Sequence, residues 1–374
     1  MSVPQGEFRL ARFPIRPKEN FRAWDAADEY LLTAVAGEAD LDIDVPELRG
    51  RNVVINDSYG AITVALSEHE PTMVTDSVLS VMGATQNMTT NRHDDSIDIR
   101  RSTEELPFPV DLVLLKVPKS LGLLEHQLHQ IRGAAHAGTV VLGGGMARHI
   151  HTSTLELFES ILGPTTTSLA KKKARLIFPT LDLDREVAVA PGPQTFTVDG
   201  GTVVHSHPGV FSAGKLDSGT RFLLANPPAV PAAARMVDLG CGNGVLGTVF
   251  AQPDTEVSFL DKSFLALESA RATFADAFPT GEARFLATDG ADEISDASVD
   301  LVVNNPPFHD DQALAEATAW KMFNDAHRIL KPGGEFRVVG NRHLGYHAKL
   351  SKIFGNRKTV ASNKKFVVLS AQKN

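Results

Sequence analysis

Asn305, Pro306, Pro307 and Phe308 follow the apolar run Leu301-Val302-Val303. An asparagine side-chain oxygen and a neighbouring backbone carbonyl both accept hydrogen bonds from an exocyclic NH₂. Held between two such acceptors, the nitrogen points its lone pair for in-line attack on a methyl group. Pro306 and Pro307 lack N–H donors and have restricted φ, so they present carbonyls outward, and Phe308 offers a flat face to a planar base. Upstream lies the glycine-rich run Asp238-Leu239-Gly240-Cys241-Gly242-Asn243-Gly244. The two segments describe a cofactor pocket and an amine-holding clamp at adjacent strand ends, which predicts amino-group methylation. Taken alone, the tetrapeptide also reads as a strand-ending turn with two prolines.

A glycine turn that opens onto a helix N-terminus is where open α/β sheets admit ligands. The loop has no Lys-Ser/Thr pair, so it is not a P-loop. Its Gly-x-Gly-x-Gly spacing misses the Gly-x-Gly-x-x-Gly dinucleotide fingerprint, although Gly247 keeps some ambiguity. Asp261 is placed to accept from both hydroxyls of a ribose, or else caps the helix that starts near Phe264. Asp289 is placed to accept from an adenine amino group, or else is a turn residue. Cys241 has no His or Asp tied to it by spacing, and a small residue between glycines suffices there. His205 and His207 flank a loop, and His343 and His347 lack acidic partners on a helix, so no metal site is expected.

The 374 residues suffice for two domains, and an apolar fraction of 43% supports packed cores. A single cysteine excludes an intrachain disulfide and a multi-cysteine zinc site, which fits a reducing compartment, the cytoplasm being the simplest. Met1 to Arg12 has no signal-peptide core, and no apolar run is long enough to cross a bilayer, so a soluble protein is expected. The net charge of −8 argues against indiscriminate coating of nucleic acid. Yet Arg342 to Asn374 carries Arg342, Lys349, Lys352, Arg357, Lys358, Lys364, Lys365 and Lys373 with no acidic residue. A second basic cluster is Lys171, Lys172, Lys173 and Arg175. Such runs are solvated faces unless a polyanion is the substrate.

The second half reads as a βαβ series that positions these groups. A strand over Arg235 to Leu239 enters the glycine loop, Val245 to Ala251 is helical, and Glu256 to Leu260 is a strand ending at Asp261. Ser263 caps a helix through Ala275. Ala283 to Ala287 and Val299 to Val303 are further strands, the latter delivering Asn305. A helix over Thr318 to Leu330 stops at Lys331-Pro332-Gly333-Gly334. Glu335 to Gly340 is a strand, and Lys358 to Ala361 with Lys365 to Ser370 forms a hairpin. Gly209 to Ser212 and Leu216 to Arg221 read either as a loop closing over cofactor and base, with Phe211 stacking and Arg221 on phosphate, or as a domain-entry strand and cap.

The first half repeats this order. Val53 to Gly60 matches Val237 to Gly244, Asp76 follows Gly60 by sixteen residues as Asp261 follows Gly244 by seventeen, and Val110 to Pro118 matches Val299 to Pro307. This internal duplication carries three telling differences: Asn56 and Ser58 replace loop glycines, and Lys116 replaces Asn305. A loop without those glycines approaches a ligand less closely, and lysine has no acceptor for an amine. The first copy is therefore expected to be catalytically dead. Phe178 to about Gly201 has no sustained period and reads as a linker. The domains expected are thus 1–178, a linker at 179–200, and 201–374.

With these residues in hand, the whole chain resembles the bacterial ribosomal RNA guanine-N2 methyltransferases that carry two methyltransferase-like domains in tandem. The matching segments are Phe21 to Leu32, His151 to Arg175, His207 to Arg221, the Asp238 loop, Asn305 to Phe308 and Asn363 to Leu369. His151 to Phe158 with Gly163 to Thr167 is similar to the large-subunit branch rather than the small-subunit one. The resemblance implies an α/β chain of two Rossmann-like methyltransferase domains, the C-terminal one seven-stranded and catalytic. It implies S-adenosylmethionine held by Asp238, Gly240, Gly242, Asn243, Asp261, Asp289 and Asn305, with the target amine also on Asn305. The substrate it implies is the N2 amine of one guanine in large-subunit rRNA, with the first domain assisting RNA binding or folding and no protein partner required. The same Asn-Pro-Pro-Phe clamp also reads on adenine in DNA or a glutamine side chain in protein, and the fold without the chemistry reads as an rRNA-binding assembly factor.

Overall fold

The computed structural model describes residues 1–15, 21–39, 41, 48, 50–92, 97–307 and 312–374. The chain divides into two compact units, Met1–Pro191 and Gly192–Asn374.

The first unit opens with a two-residue ribbon, Ser2–Val3 against Gly6–Glu7, and helix α1, Ala26–Val35. Strand β1, Asn52–Ile55, is followed by α2, Ala61–Ala65, then β2, Thr72–Thr75, and α3, Val78–Thr90. Strands β3, Ile99–Arg101, and β4, Val110–Lys116, precede α4, Leu121–Ala134. The unit closes with β5, Ala135–Met146, α5, Thr152–Ile161, β6, Thr165–Thr167, and β7, Ala174–Pro179. The sheet order is β3-β2-β1-β4-β5-β7-β6. The first five strands are parallel, and β7 pairs antiparallel with both β5 and β6.

The second unit begins with an antiparallel hairpin, β8, Gln194–Thr197, and β9, Val203–Ser206. Helix α6, Ser218–Leu224, leads to β10, Arg235–Leu239, α7, Val245–Phe250, β11, Glu256–Asp261, and α8, Phe264–Ala277. Then come β12, Ala283–Ala287, β13, Val299–Asn304, α9, Gln312–Ile329, β14, Leu330–Asn341, and α10, Tyr346–Phe354. Strands β15, Lys358–Ser362, and β16, Phe366–Gln372, finish the chain. The order β12-β11-β10-β13-β14-β16-β15 repeats that of the first unit strand for strand.

Register confirms the internal match. Leu239 pairs with Asn304 between β10 and β13, and Ile55 pairs with Leu115 between β1 and β4. The next residues along the chain, Asn305 just past β13 and Lys116 at the end of β4, are therefore equivalent. Strand β13 is central, so both its faces are covered, and Leu301, Val302 and Val303 are all buried. That is why the run is continuously apolar rather than alternating. Phe323 and Phe336 lie edge to face on one side of the sheet, and Phe259 stacks on Phe285 on the other.

Two readings of the sequence differ from this fold. The segment read as a linker contains β8, whose residues are mostly exposed and polar, so it shows no apolar period. The hairpin is docked on α8: Thr273 Oγ accepts from His205 N at 3.0 Å, and Ser269 Oγ from His207 N at 2.9 Å. The helix before β14 is also longer than its periodic part, starting at Gln312.

Candidate active site

The glycine loop joins β10 to α7 with Gly240, Gly242 and Gly244 all at positive φ. Gly244 is needed for packing, since a Cβ there would lie 2.7 Å from Ala270 Cβ. Gly242 is different. At φ +54° a Cβ would have nothing within 4 Å, so the backbone there faces open space into which a ligand fits. Asp261, at the end of β11, fixes this backbone. Its Oδ2 accepts from Gly242 N at 3.0 Å and its Oδ1 from Ser263 N at 3.0 Å. The helix cap is Ser263, whose Oγ accepts from Ala266 N. Each carboxylate oxygen of Asp261 keeps a second lone pair.

Asp238 is 1% exposed. Its Oδ2 accepts from Gly247 N at 2.8 Å, while its Oδ1 is buried and has no partner among the described residues. Burial, against the Gly247 hydrogen bond and with the charge of Asp261 adding to it, pushes the Asp238 carboxyl up to about 8. Burial also raises Asp261. Burial raises the Cys241 thiol too, which leaves it unlike an activated nucleophile. The amide of Asn243 donates to Ser206 Oγ on β9 at 3.1 Å, tying loop to hairpin. Asp289 lies half-buried two residues beyond β12.

Asn304 ends β13 and donates to Leu239 O at 2.6 Å, locking the two strand ends together. Asn305 follows with its NH₂ donating to Thr220 Oγ at 2.8 Å and facing Asp217 Oδ2 at 3.4 Å. Its Oδ1 is buried without a partner among the described residues. Pro306 is buried and Pro307 exposed, while Phe308 lies outside the described residues. Asp217 is the N-cap of α6, accepting from Gly219 N and Thr220 N. The segment leading to Arg221 is thus a cap and helix start, and Phe211 beside it is 53% exposed. Sequence reasoning misses Asp217 and Thr220 as site residues. Their counterparts in the first copy are Asp25 and Asp28, at the N-cap and third position of α1.

In the first unit the equivalent positions are closed. Lys116 Nζ lies 2.7 Å from both Asp25 Oδ1 and Asp28 Oδ1. Asn56 keeps φ +65°, close to the +68° of Gly240, because asparagine tolerates the left-handed region. Its amide is spent on Gln127 and on Lys116 O. Asp57 caps α2 with its own carboxylate, accepting from the amides of Ala61, Ile62 and Thr63. The helix N-terminus beside the loop is therefore already filled.

Among the described residues no group of three or more His, Cys, Asp or Glu could hold a metal ion, and no helix is long and apolar enough to cross a membrane. Residues 1–183 match the RLMG N-terminal domain, and residues 201–370 match the methyltransferase small domain. The ribosomal RNA large subunit methyltransferase G of Streptomyces avermitilis is 50% identical, covering 100% of this chain and 99% of its own. The protein of the same name from Aeromonas salmonicida is 43% identical, covering 97% and 96%. A solved structure of the T. thermophilus 16S rRNA N2 G1207 methyltransferase, in complex with AdoMet and guanosine, superposes with a TM-score of 0.72. It is 23% identical and covers 88% of this chain and 90% of its own.

Fold and site together define an S-adenosylmethionine-dependent methyltransferase. Buried unpartnered acceptors on Asp238 and Asn304, the open face of Gly242 and the carboxylate of Asp261 at a strand end fit that cofactor. The chain belongs to the ribosomal RNA large subunit methyltransferase G family.

Proposed function

We propose that the second unit methylates the N2 amine of one guanine in large-subunit rRNA, in the cytoplasm, on RNA not yet folded into a finished subunit. The observation that carries the reading is the Asn305 amide, whose donor end is satisfied and whose buried Oδ1 is left to accept. A guanine amine is the matching donor, and Oδ1 with the Pro306 carbonyl would hold it. S-adenosylmethionine, when bound, supplies a methyl on a sulfonium that needs no strong base for its transfer. Asp238, the loop at Gly240 and Gly242, Asp261 and Asp289 would hold it, with Asn243 bracing the loop. Orientation by Asn305 would supply much of the rate, and the extra proton of the methylated amine would pass to water after transfer. Phe308 would stack the base.

The guanine must leave its stack, which costs a few kcal/mol and least in unpaired RNA. This favours free or partly assembled RNA over a completed subunit. The first unit, with Lys116 in the amine's seat, would bind or shape RNA rather than methylate it. Mass-spectrometric mapping of rRNA from a deletion strain is the test. Loss of one N2-methylguanine from the large-subunit RNA, restored by the wild-type chain and not by Asn305→Ala, is the expected result. An unchanged large-subunit RNA, or full restoration by Asn305→Ala, would overturn the reading.

A further inference from the structure

We propose that Thr220, oriented by Asp217, is a positioning residue for methyl transfer: it determines which end of the Asn305 amide faces the substrate. The inference rests on Asn305 as the amine-holding residue.

A carboxylate only accepts hydrogen bonds. Asp217 Oδ2 is fixed at the start of α6 by Gly219 N at 2.8 Å and Thr220 N at 2.9 Å. Thr220 Oγ lies 3.5 Å from the same oxygen, at the long edge of the hydrogen-bonding range, and its proton is drawn toward that charge. A hydroxyl has one proton, so toward Asn305 the oxygen is left to accept. The Asn305 NH₂ then faces two acceptors, Thr220 Oγ at 2.8 Å and Asp217 Oδ2 at 3.4 Å. The opposite amide orientation would set Oδ1 against both and is repelled. Polarity runs from carboxylate to hydroxyl to amide, and it ends on Oδ1 as the acceptor left for the amine. Gly219 keeps the junction open, since a Cβ there would lie 3.0 Å from Asp217 Oδ2 and 3.7 Å from Asn305 Oδ1.

The first unit is an independent instance of the same triangle. Asp25 caps α1 as Asp217 caps α6, Asp28 stands three residues on as Thr220 does, and Lys116 stands where Asn305 does. There the third-position residue and the strand-end residue differ together, Asp with Lys in place of Thr with Asn. The two still meet, at 2.7 Å. The helix residue reads the strand-end residue in both copies.

The test compares full-length wild type, Thr220→Val, Thr220→Ser and Asn305→Ala in single-turnover methylation of unmethylated rRNA, with cofactor affinity measured in parallel. Thr220→Val keeps the shape and removes the hydroxyl. It should slow transfer on the order of tenfold to a hundredfold at saturating RNA and cofactor, as expected for a misaligned reactant. Cofactor affinity should stay at the wild-type value, and Thr220→Ser should recover most of the rate. The side-chain ¹⁵NH₂ signal of Asn305, identified by its loss in Asn305→Ala, should shift in Thr220→Val and return in Thr220→Ser. Wild-type turnover in Thr220→Val, no rescue by serine, or loss of cofactor affinity in step with the rate would overturn the inference. If the valine variant does not fold, Thr220→Ala is read in its place. A fully active Asn305→Ala would instead sink the parent reading, whereas an inactive Asn305→Ala beside a fully active Thr220→Val sinks this inference alone.

Discussion

Cofactor binding should release a proton from Asp238. The group is fully buried, one oxygen has no partner, and its carboxyl is pushed from 3.8 up to about 8, so at neutral pH the free protein holds it mostly protonated. A bound ligand that carries a sulfonium and an ammonium favours the carboxylate. If the group ionises fully in the complex, affinity rises about tenfold per pH unit below the pKa, or about 1.4 kcal/mol per unit. Across pH 5.5 to 7.5, below the titration of the ligand's own amino group near 8, this amounts to at most about a hundredfold. Asp238→Asn keeps an oxygen for Gly247 N and removes the titration, so its affinity should be weaker at pH 7.5 and flat with pH. Isothermal titration in buffers of different ionisation enthalpy reads the proton directly. A wild-type affinity independent of pH, or a slope kept in Asp238→Asn, refutes the reasoning. The same group sets the stability of the free protein. Because its folded pKa is raised, the stabilisation it contributes is fully present below 3.8 and is lost as pH rises toward about 8. Asp238→Asn without cofactor should therefore outlast wild type in thermal melts at pH 8 and lose that advantage toward pH 5.

Asn305→Ala should abolish methylation while sparing fold and cofactor affinity, and Asn305→Asp, which keeps an acceptor, should retain more activity than alanine; equal loss in both would remove acceptance as the main role. Cofactor should bind one site per chain, and Asp261→Ala should weaken it by about 1 kcal/mol or more per missing ribose hydrogen bond in titration calorimetry. Reversing the exposed Lys364 and Lys365 to Glu should lower rRNA affinity and flatten its log–log salt slope by about 0.7 for each phosphate no longer neutralised, with cofactor affinity unchanged. Lys116→Met should destabilise the first unit by about 3 kcal/mol by leaving Asp28 buried beside Asp25. Burial already raises Asp28 to about 6, so the penalty in denaturation should be larger at pH 8 than at pH 5, where protonation relieves it.

Much of the second unit is legible because each element carries its own signal. The apolar run of β13 reports a doubly covered strand, Gly240 to Gly244 reports a left-handed turn, and Ser263 is a cap residue in the right place. The duplication is legible because glycines and strand-end residues recur at matched spacing. The hairpin of β8 and β9 is not, because its strands are stabilised by docking on α8 through hydroxyls rather than by an apolar pattern of their own. The partner of the Asn243 amide, Ser206, lies 37 positions away and is not legible in the sequence. Thr220 is equally hidden: its partner Asn305 lies 85 positions later, and only folding shows that the two meet.

The ion cluster of Lys116 with Asp25 and Asp28 bears on how such a chain can evolve. Restoring asparagine at 116 alone would strand Asp28, whose side chain is only 8% exposed, beside a second carboxylate. Restoring threonine at 28 alone would leave a largely buried ammonium with half its counter-charge. Each single step back crosses a stability valley, while the pair of changes made together does not. The cluster thus acts as a ratchet against single substitutions at either position.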